Sequence, residues 1–314
     1  MTLQQMKYVL TIADEGSMNK AAEKLFVSQP SLTSAVRELE MESGIQIFVR
    51  GSRGVTVTAE GADFLMYVRQ VCQQYDILRQ KYGGSGSVKR KFGVSTQHYS
   101  FAVKAFVEMV KRFGTLNFEF AIRETRTMDV LNDVGCFRSE IGIIYQCDYN
   151  RKIIERLLRE QELEFVPLID CRAYVYLWKR HPLAGESSIG IEQLADYPCM
   201  VFEQGDGASG FLAEEILTDN DYPRMIRSSD RATQLNLMVG LNGYTLCSGI
   251  ICEELNGSDF RAVPFREDEH NRNTIMEIGY IVKKHSMLSD IGDVYISEVR
   301  RYLSRCGELK EDRR

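Results

Sequence analysis

The chain has 314 residues, of which 44% are apolar and 26% are charged, a balance typical of globular proteins with two or three domains. No stretch approaches the roughly 18 apolar residues of a membrane span, and the first residues lack the order of a secretory signal. We therefore expect a cytoplasmic protein without membrane contacts. The formal net charge of −5 does not by itself indicate a nucleic-acid-binding protein.

The cysteines and histidines lack the spacing that metal sites and catalytic centres need. None of the eight cysteines forms a Cys-x-x-Cys pair, and the four histidines form neither a metal pair nor a triad motif. We expect no metal, no cofactor and no enzymatic activity. Cys247 and Cys252 are the cysteines closest in sequence. A redox switch at this pair is the alternative to inert buried thiols.

The first 58 residues predict three short helices. Apolar residues recur at steps of three and four from Leu3 to Ala13, and Gly16 ends this first helix. A second helix follows Ser17 and carries the small residues Ala21 and Ala22 on its inner face, which allows close approach of another helix.

The third helix begins after Ser28, a suitable cap, with Pro30 in its first turn. Two short helices joined by a three-residue turn form a helix-turn-helix, whose second helix enters the major groove of DNA. Polar side chains that can bond bases or phosphates lie on its outer side. The predicted DNA-binding residues of this segment are Ser28, Gln29, Pro30, Ser31, Thr33, Ser34 and Arg37.

A β-hairpin is predicted next, because alternating apolar residues flank the turn of residues 50–54, Arg-Gly-Ser-Arg-Gly. Such a hairpin is the wing of a winged helix-turn-helix, and Arg50 and Arg53 at its tip suit phosphates. A three-helix packing module without DNA contact has the same apolar spacing and stays open as an alternative on spacing alone.

The segment AAEKLFVSQPSLT at residues 21–33, followed by VRELE at 36–40, resembles the DNA-binding signature of the LysR family. The likeness continues through FVR at 48–50 and TVTAEG at 56–61. In this chain Phe48-Val49 precedes Arg50, whereas the family commonly has Leu-Phe. The resemblance implies base or backbone contacts for five of the residues above and phosphate contacts for Arg50 and Arg53. Those five are Gln29, Pro30, Ser31, Ser34 and Arg37.

The same resemblance implies a transcriptional regulator that binds double-stranded promoter DNA as a homodimer or homotetramer, with RNA polymerase as a further partner. Residues 59–87 predict a long helix followed by a Gly/Ser-rich hinge. Leu65, Val68, Cys72 and Tyr75 recur at heptad-like steps, which predicts a seam between two copies of the chain. Packing of this helix on the chain's own effector region is the alternative.

Residues 88–306 alternate strand-like and helix-like runs, including a predicted helix over 208–218, which indicates an α/β domain. This order resembles the LysR effector-binding region, a two-lobed fold similar to type 2 periplasmic binding proteins. The expected division is a winged helix-turn-helix at 1–58, a linker helix and hinge at 59–87, and an effector domain at 88–306. Within that domain we expect lobe I at 88–166 and 273–306 and lobe II at 167–272, with a polar tail at 307–314.

Ligands of open α/β sheets bind beyond the carboxyl ends of the strands. The candidate effector-binding residues by this rule are Ser95, Thr96, Gln97, Thr125, Tyr145, Phe202 and Glu203. The hydroxyl and backbone N–H groups of residues 95–97 suit an anion such as a carboxylate, and helix capping is the alternative. The predicted function is sequence-specific transcriptional regulation by an effector bound between the two lobes. The alternatives are a thiol-based redox regulator of the same family and a solute-binding protein without DNA function.

Overall fold

A computed structural model describes residues 1–51, 54–82, 89–114, 117–205, 210–218, 220, 222–269, 271 and 274–310. The chain divides into two compact units, Met1–Val88 and Lys89–Arg314. Among the described helices, none is both long enough and apolar enough to cross a membrane.

The described residues of the first unit form four helices and one hairpin. They are α1 (Leu3–Glu15), α2 (Met18–Leu25), α3 (Gln29–Ser43), β1 (Phe48–Gly51), β2 (Gly54–Val57) and α4 (Ala59–Tyr82). The predicted helix starts are confirmed, since the hydroxyls of Ser17 and Ser28 accept hydrogen bonds from the N–H groups of the first turns of α2 and α3. Gly16 and Gly44 adopt the left-handed conformation and end α1 and α3.

The wing is fixed to the end of α1 by its backbone. Strands β1 and β2 pair antiparallel, with Gly51 opposite Gly54. The N–H of Val55 donates to the carbonyl oxygen of Gly16 at 2.9 Å. Gly54 has φ +125°, and a Cβ there would lie 2.6 Å from that same oxygen, so this close approach requires glycine.

The core of the first unit is built by the inner faces of all four helices, together with Ile47 and Phe48. Three residues of the predicted dimer seam, Leu65, Val68 and Cys72, are buried in this core. The apolar stripe that they form on α4 therefore packs within the chain's own first unit. Tyr75 is the exception, since its side chain is exposed and lies under the ammonium group of Lys7.

Phe26, in the turn between α2 and α3, adopts φ 54° and is 95% exposed. This left-handed backbone is costly for a residue with a bulky side chain, while asparagine tolerates it. We expect Phe26→Asn to raise the free energy of unfolding by about 1 kcal/mol, measured by denaturant titration. Phe26→Ala is the control, because alanine keeps the backbone strain. Equal stability of the two variants would contradict this account.

The second unit carries the remaining elements. Its strands are β3 (Arg90–Thr96), β4 (Phe118–Glu124), β5 (Ile141–Gln146), β6 (Leu163–Arg172), β7 (Tyr174–Trp178), β8 (Cys199–Phe202), β9 (Met225–Ser228), β10 (Thr245–Cys247), β11 (Phe260–Pro264) and β12 (Ile275–Lys283). Its helices are α5 (Ser100–Arg112), α6 (Thr127–Gly135), α7 (Arg151–Glu160), α8 (Ile191–Leu194), α9 (Arg231–Leu241), α10 (Glu253–Asn256) and α11 (Asp290–Leu303).

The strands form two lobes. In the first lobe a five-stranded sheet has the order β4-β3-β5-β12-β6, in which β3 runs parallel to β4 and β5 while β12 is antiparallel to β5 and β6. In the second lobe β7 is paired with β10 and β11, and β8 is paired with β9. The chain passes between the lobes twice, once after β6 and once before β12.

The first crossing lies later than the expected lobe boundary at 166/167. Residues 167–172 belong to β6, where Cys171 pairs with Met276 and Arg172 pairs with Ile275 of β12. The expected start of lobe II is therefore corrected to the vicinity of residue 173, because the ladder between β6 and β12 continues to the end of β6. In the segment expected to be a polar tail, Leu309 forms a β-bridge with Ile169.

The helix predicted over 208–218 is also corrected. Residues 206–209 lie outside the described residues, and of the remainder only Gly210–Leu212 form a single 3₁₀ turn. Glu214 and Glu215 follow in a bend and are both buried. Their carboxylates bond to other segments of the second unit, and this pairing replaces the outward, solvated position that a surface helix would give them.

Candidate DNA-binding face and effector cavity

The amino-terminal half of α3 presents an exposed polar face. Gln29, Ser31, Ser34 and Arg37 are exposed, whereas Leu32, Val36 and Leu39 of the same helix are buried in the core. This division puts one side of α3 into the hydrophobic core and leaves the other free to contact a partner. The structure thus brings these predicted DNA-binding side chains together on one surface of α3.

The other predicted DNA-binding residues take several positions. Ser28 is exposed, and its hydroxyl lies 2.7 Å from that of Ser31 while also capping α3. Pro30 is exposed in the first turn, and Thr33 is half-buried with its hydroxyl accepting from the side-chain amide of Gln29 at 3.4 Å. Arg50 lies on β1, with its backbone paired to that of Val55, and Arg53 is outside the described residues.

Glu40 on α3 has a structural role that the sequence pattern did not indicate. Its Oε1 atom accepts hydrogen bonds from the backbone N–H groups of Ile47 and Phe48 at 2.8 and 3.1 Å. These bonds connect the carboxyl-terminal half of α3 to the start of the wing. The wing and the exposed face of α3 are therefore held together by a charge-assisted contact.

The second unit contains a cavity of about 620 Å³, counting the part that opens to solvent. Both lobes contribute to its walls, in agreement with the position expected for an effector site in a two-lobed α/β domain. The lining residues that matter for its chemistry are His98, Tyr176, Phe202, Glu214, Glu215, Arg231, Gln234 and Cys247.

Residues 95–97, the predicted anion-binding segment, use their side chains in internal hydrogen bonds. The Ser95 hydroxyl donates to Asp133 Oδ2 at 2.6 Å, and the Thr96 hydroxyl donates to the carbonyl oxygen of Gln97. The Gln97 amide donates to the Thr127 hydroxyl at 2.6 Å. All three predicted residues are buried in the first lobe, and none of them is among the residues that line the cavity.

Of the other predicted effector-binding residues, one lines the cavity and three do not. Phe202 lines the cavity, and its ring stacks on His98 with 3.7 Å between centroids. Tyr145 lies behind the cavity wall and donates its hydroxyl to the carbonyl oxygen of Glu215 at 2.7 Å. Thr125 contacts Asp129, and Glu203 forms an ion pair with Arg126, both away from the lining residues.

Two adjacent buried glutamates dominate the electrostatics of the cavity. Glu214 Oε2 accepts from the backbone N–H of His98 at 2.7 Å and lies 2.9 Å from His98 Nδ1. Glu215 Oε1 accepts from the backbone N–H of Phe202 at 2.8 Å. Neither residue was predicted from the sequence. The available signal was a pair of acids flanked by apolar residues on each side, in the segment Phe-Leu-Ala-Glu-Glu-Ile-Leu at 211–217.

Burial raises the pKa of Glu215 to about 8, and the neighbouring Glu214 carboxylate adds to this shift. The carboxyl group of Glu215 is therefore largely protonated at neutral pH. Burial also raises the pKa of the Cys247 thiol to about 12, which keeps this cavity-lining cysteine in its unreactive protonated form.

The eight cysteines are all free thiols. Within the described part of the chain, no group of three or more His, Cys, Asp or Glu side chains is arranged to hold a metal ion.

Comparisons with known proteins match the two units. Residues 3–62 match the family of bacterial regulatory helix-turn-helix proteins of the lysR type, and residues 100–291 match the LysR substrate binding domain. The chain belongs to the LysR family. This LysR protein is 24% identical over 300 residues to the uncharacterized HTH-type transcriptional regulator YbhD of Escherichia coli (strain K12), covering 94% of this chain and 90% of that protein.

A further relative is similar in sequence, and two solved structures share the fold. The HTH-type transcriptional regulator CysL of Bacillus subtilis (strain 168) is 25% identical over 222 residues, which cover 68% of this chain and 69% of CysL. A full-length OxyR variant from Pseudomonas aeruginosa has a TM-score of 0.68 at 18% identity, covering 100% of this chain and 99% of that one. Full-length CbnR in complex with its target DNA has a TM-score of 0.56 at 18% identity, covering 96% and 100%.

The predicted fold is confirmed: a helix-turn-helix unit is joined to a two-lobed α/β domain of the LysR type. This LysR protein is a DNA-binding transcriptional regulator with an effector-binding domain. Its relatives are regulators rather than enzymes.

Proposed function

We propose that this regulator reads promoter DNA with the exposed face of α3 and with the wing. The observation that carries the proposal is the division of α3 into a buried apolar side and an exposed side bearing Gln29, Ser31, Ser34 and Arg37. Amide, hydroxyl and guanidinium groups are the ones that read base edges and phosphates in the major groove. Arg50 and Arg53 serve the phosphates beside the groove. The structural similarity to CbnR, which was solved with its target DNA, supports this use of the first unit.

The regulator acts as a homodimer joined through α4, and two dimers form a tetramer. A stripe of exposed residues runs along α4 at steps of four, four and three: Tyr67, Val71, Tyr75 and Leu78. Four exposed apolar or aromatic side chains on one side of a long helix favour pairing with a second copy. This stripe differs from the predicted seam in three of its four members, because Leu65, Val68 and Cys72 already pack inside the first unit.

Placing a charge in this stripe is expected to break the dimer. Val71→Glu raises the dimer dissociation constant by at least about tenfold, since the carboxylate loses water without gaining a partner. Sedimentation equilibrium measures the change. Asp76→Lys is the control, because Asp76 is exposed on the opposite side of α4. Equal dissociation constants for Val71→Glu and the unmodified chain would contradict the assignment of the interface.

A small-molecule effector in the cavity of the second unit controls DNA binding. Because both lobes line this cavity, a ligand there changes their arrangement and thereby the geometry of the dimer on its two half-sites. The regulator works in the cytoplasm, where the promoter and RNA polymerase are its partners. The division into segments 1–58, 59–87 and 88–306 follows these three tasks of DNA reading, dimerisation and effector binding.

The two alternative functions have less support. A thiol-based sensor needs a reactive thiolate, and the raised pKa of Cys247 disfavours one at that position. A solute-binding protein without DNA function would have no use for the first unit.

Fluorescence anisotropy with the DNA upstream of the chain's own gene tests the proposal. We expect binding that is stronger than to a shuffled sequence and that weakens steeply as salt rises. Equal affinity for both sequences at every salt concentration would contradict it.

A further inference from the structure

The wall of the cavity carries a buried acceptor without a partner. Glu214 and Glu215 are 7% and 4% exposed. Glu214 is well satisfied, because besides its two contacts with His98 it accepts from the Gln204 amide at 2.9 Å. Glu215 accepts one hydrogen bond through Oε1, and within the described part of the chain its Oε2 atom has no partner. Such a buried oxygen is costly until a donor reaches it.

A second unsatisfied group belongs to the same cavity. Gln234 lines the cavity at 4% exposure, and its Nε2 atom has no hydrogen-bond partner among the described residues. The cavity therefore offers the Glu215 carboxyl, which becomes an open acceptor when it ionises, and an open donor on Gln234. The Tyr176 hydroxyl also lines the cavity without a hydrogen-bond partner among the described residues.

The cationic side chain that lines the cavity already has an acidic partner. Arg231 is the only lysine or arginine among the described residues that line it. Its guanidinium forms an ion pair with Glu124 and donates to Asn256 Oδ1 at 3.1 Å. An anionic ligand would lie against the Glu214 carboxylate, and no lysine or arginine without a carboxylate partner is among the described residues that line the cavity, which is unfavourable for an anion.

The remaining walls are apolar or aromatic. Phe202 stacks on His98, and aliphatic side chains complete the lining: Leu235, Leu246, Ile250, Ile251 and Met276. These walls favour a ligand with a hydrophobic body, because burial of apolar surface supplies most of the affinity in such pockets.

We propose that the effector is a small organic cation, a protonated amine or amidine on an apolar body, whose N–H groups donate to Glu215. This inference rests on the proposed role of the cavity as the effector site and names the chemistry of its ligand. It replaces the anion that the Ser95–Gln97 segment led us to expect, because the side chains of that segment are occupied inside the first lobe.

Proton release should accompany binding, since the carboxyl of Glu215 is largely protonated in the free cavity and a cation favours its ionised form. The thiols and phenols that interact with Glu215 stay neutral between pH 6 and about pH 8. Burial raises the pKa of Cys199 and of Cys247 to about 12, and it raises the pKa values of Tyr99 and Tyr145 well above the usual value. Besides these, Glu214 faces Glu215 directly, and His98 and Arg231 line the same cavity.

Isothermal titration calorimetry of the full chain tests the proposal with matched probes. The amines are 2-phenylethylamine and hexylamine, and each is compared with the alcohol and the carboxylate of the same carbon skeleton. We expect at least one amine to bind at least tenfold more tightly than its carboxylate. Its dissociation constant should fall about tenfold from pH 6 to pH 7, and titrations in phosphate and in Tris should reveal release of a proton.

Glu215→Gln provides the decisive comparison. This variant should weaken amine binding at least tenfold and remove most of its pH dependence, whereas Glu186→Gln, which changes an exposed glutamate, should leave both unchanged. Three results would overturn the proposal: tighter binding of the carboxylates, equal amine binding in the Glu215 variant, or no binding of either amine by the folded chain. Amine binding by a chain that shows no preference for any DNA would contradict the proposed regulator function and leave the cation site intact.

Discussion

Replacing Gln29 and Arg37 together by alanine is expected to lower the affinity for specific DNA by about 100-fold or more. Each good contact with a base is worth about 1–3 kcal/mol, and both side chains lie on the exposed face of α3. Because neither side chain is buried, the variant should fold with an unchanged melting temperature. Fluorescence anisotropy at fixed salt gives the affinities for the specific and the shuffled sequence.

The control for this experiment is Arg156→Ala, which removes the same positive charge from an exposed position on α7. Its specific affinity should stay within about twofold of the unmodified chain, since distant surface charges act weakly at moderate salt. An equally large loss in the control would mean that bulk charge, rather than the face of α3, carries the binding. Unchanged affinity in the double variant would contradict the assignment of α3 as the recognition helix.

Glu215→Gln is expected to stabilise the chain at alkaline pH by about 5 kcal/mol in the absence of a ligand. The carboxyl ionises near its ordinary pKa of 4.5 in the unfolded chain and near 8 in the folded one, because it is buried beside Glu214. Between these values the unfolded chain binds fewer protons, so stability falls as pH rises and levels off above about 8. Glutamine removes this contribution because it does not ionise.

Melting temperatures from pH 5 to pH 9 measure this effect. The curves of the variant and the unmodified chain should lie close together at pH 5 and separate progressively toward pH 9. A slope that remains in the variant below pH 7 is assigned to Glu140, whose pKa burial raises to about 7. Glu186→Gln, at an exposed position, should follow the unmodified chain. Parallel curves for the unmodified chain and Glu215→Gln would contradict the burial of an ionisable carboxyl in this cavity.

The first unit could be predicted closely from sequence because its signals are local. Ser17, Ser28 and the glycines at 16 and 44 begin and end helices through bonds to residues three or four positions away. The partner that covers the apolar stripe of α4 could not be predicted in the same way. Leu65 and Val68 have the spacing of a dimer seam, but which neighbour covers an apolar stripe depends on tertiary packing rather than on spacing.

The effector cavity was harder to predict, since its residues come from segments far apart in the sequence. The strand-end rule found Phe202 and led to Ser95, Thr96 and Gln97, but it contains no information on whether a polar side chain faces the cavity or an internal partner. Glu215 was missed because the segment 208–218 was predicted only as a helix, without any indication that it faces a cavity. Its buried position depends on the bond from the Phe202 N–H, a contact between segments that periodicity does not encode.

The central claim is that the first unit reads specific DNA under the control of the second, and DNase footprinting tests it most directly. Fragments of the genome that encodes the chain are first selected by binding to the purified protein at low salt. The account predicts enrichment of particular fragments, protection of two half-sites separated by whole turns of the DNA helix, and a changed pattern when the effector is added. A folded dimer that enriches no fragment and protects no site would contradict the account.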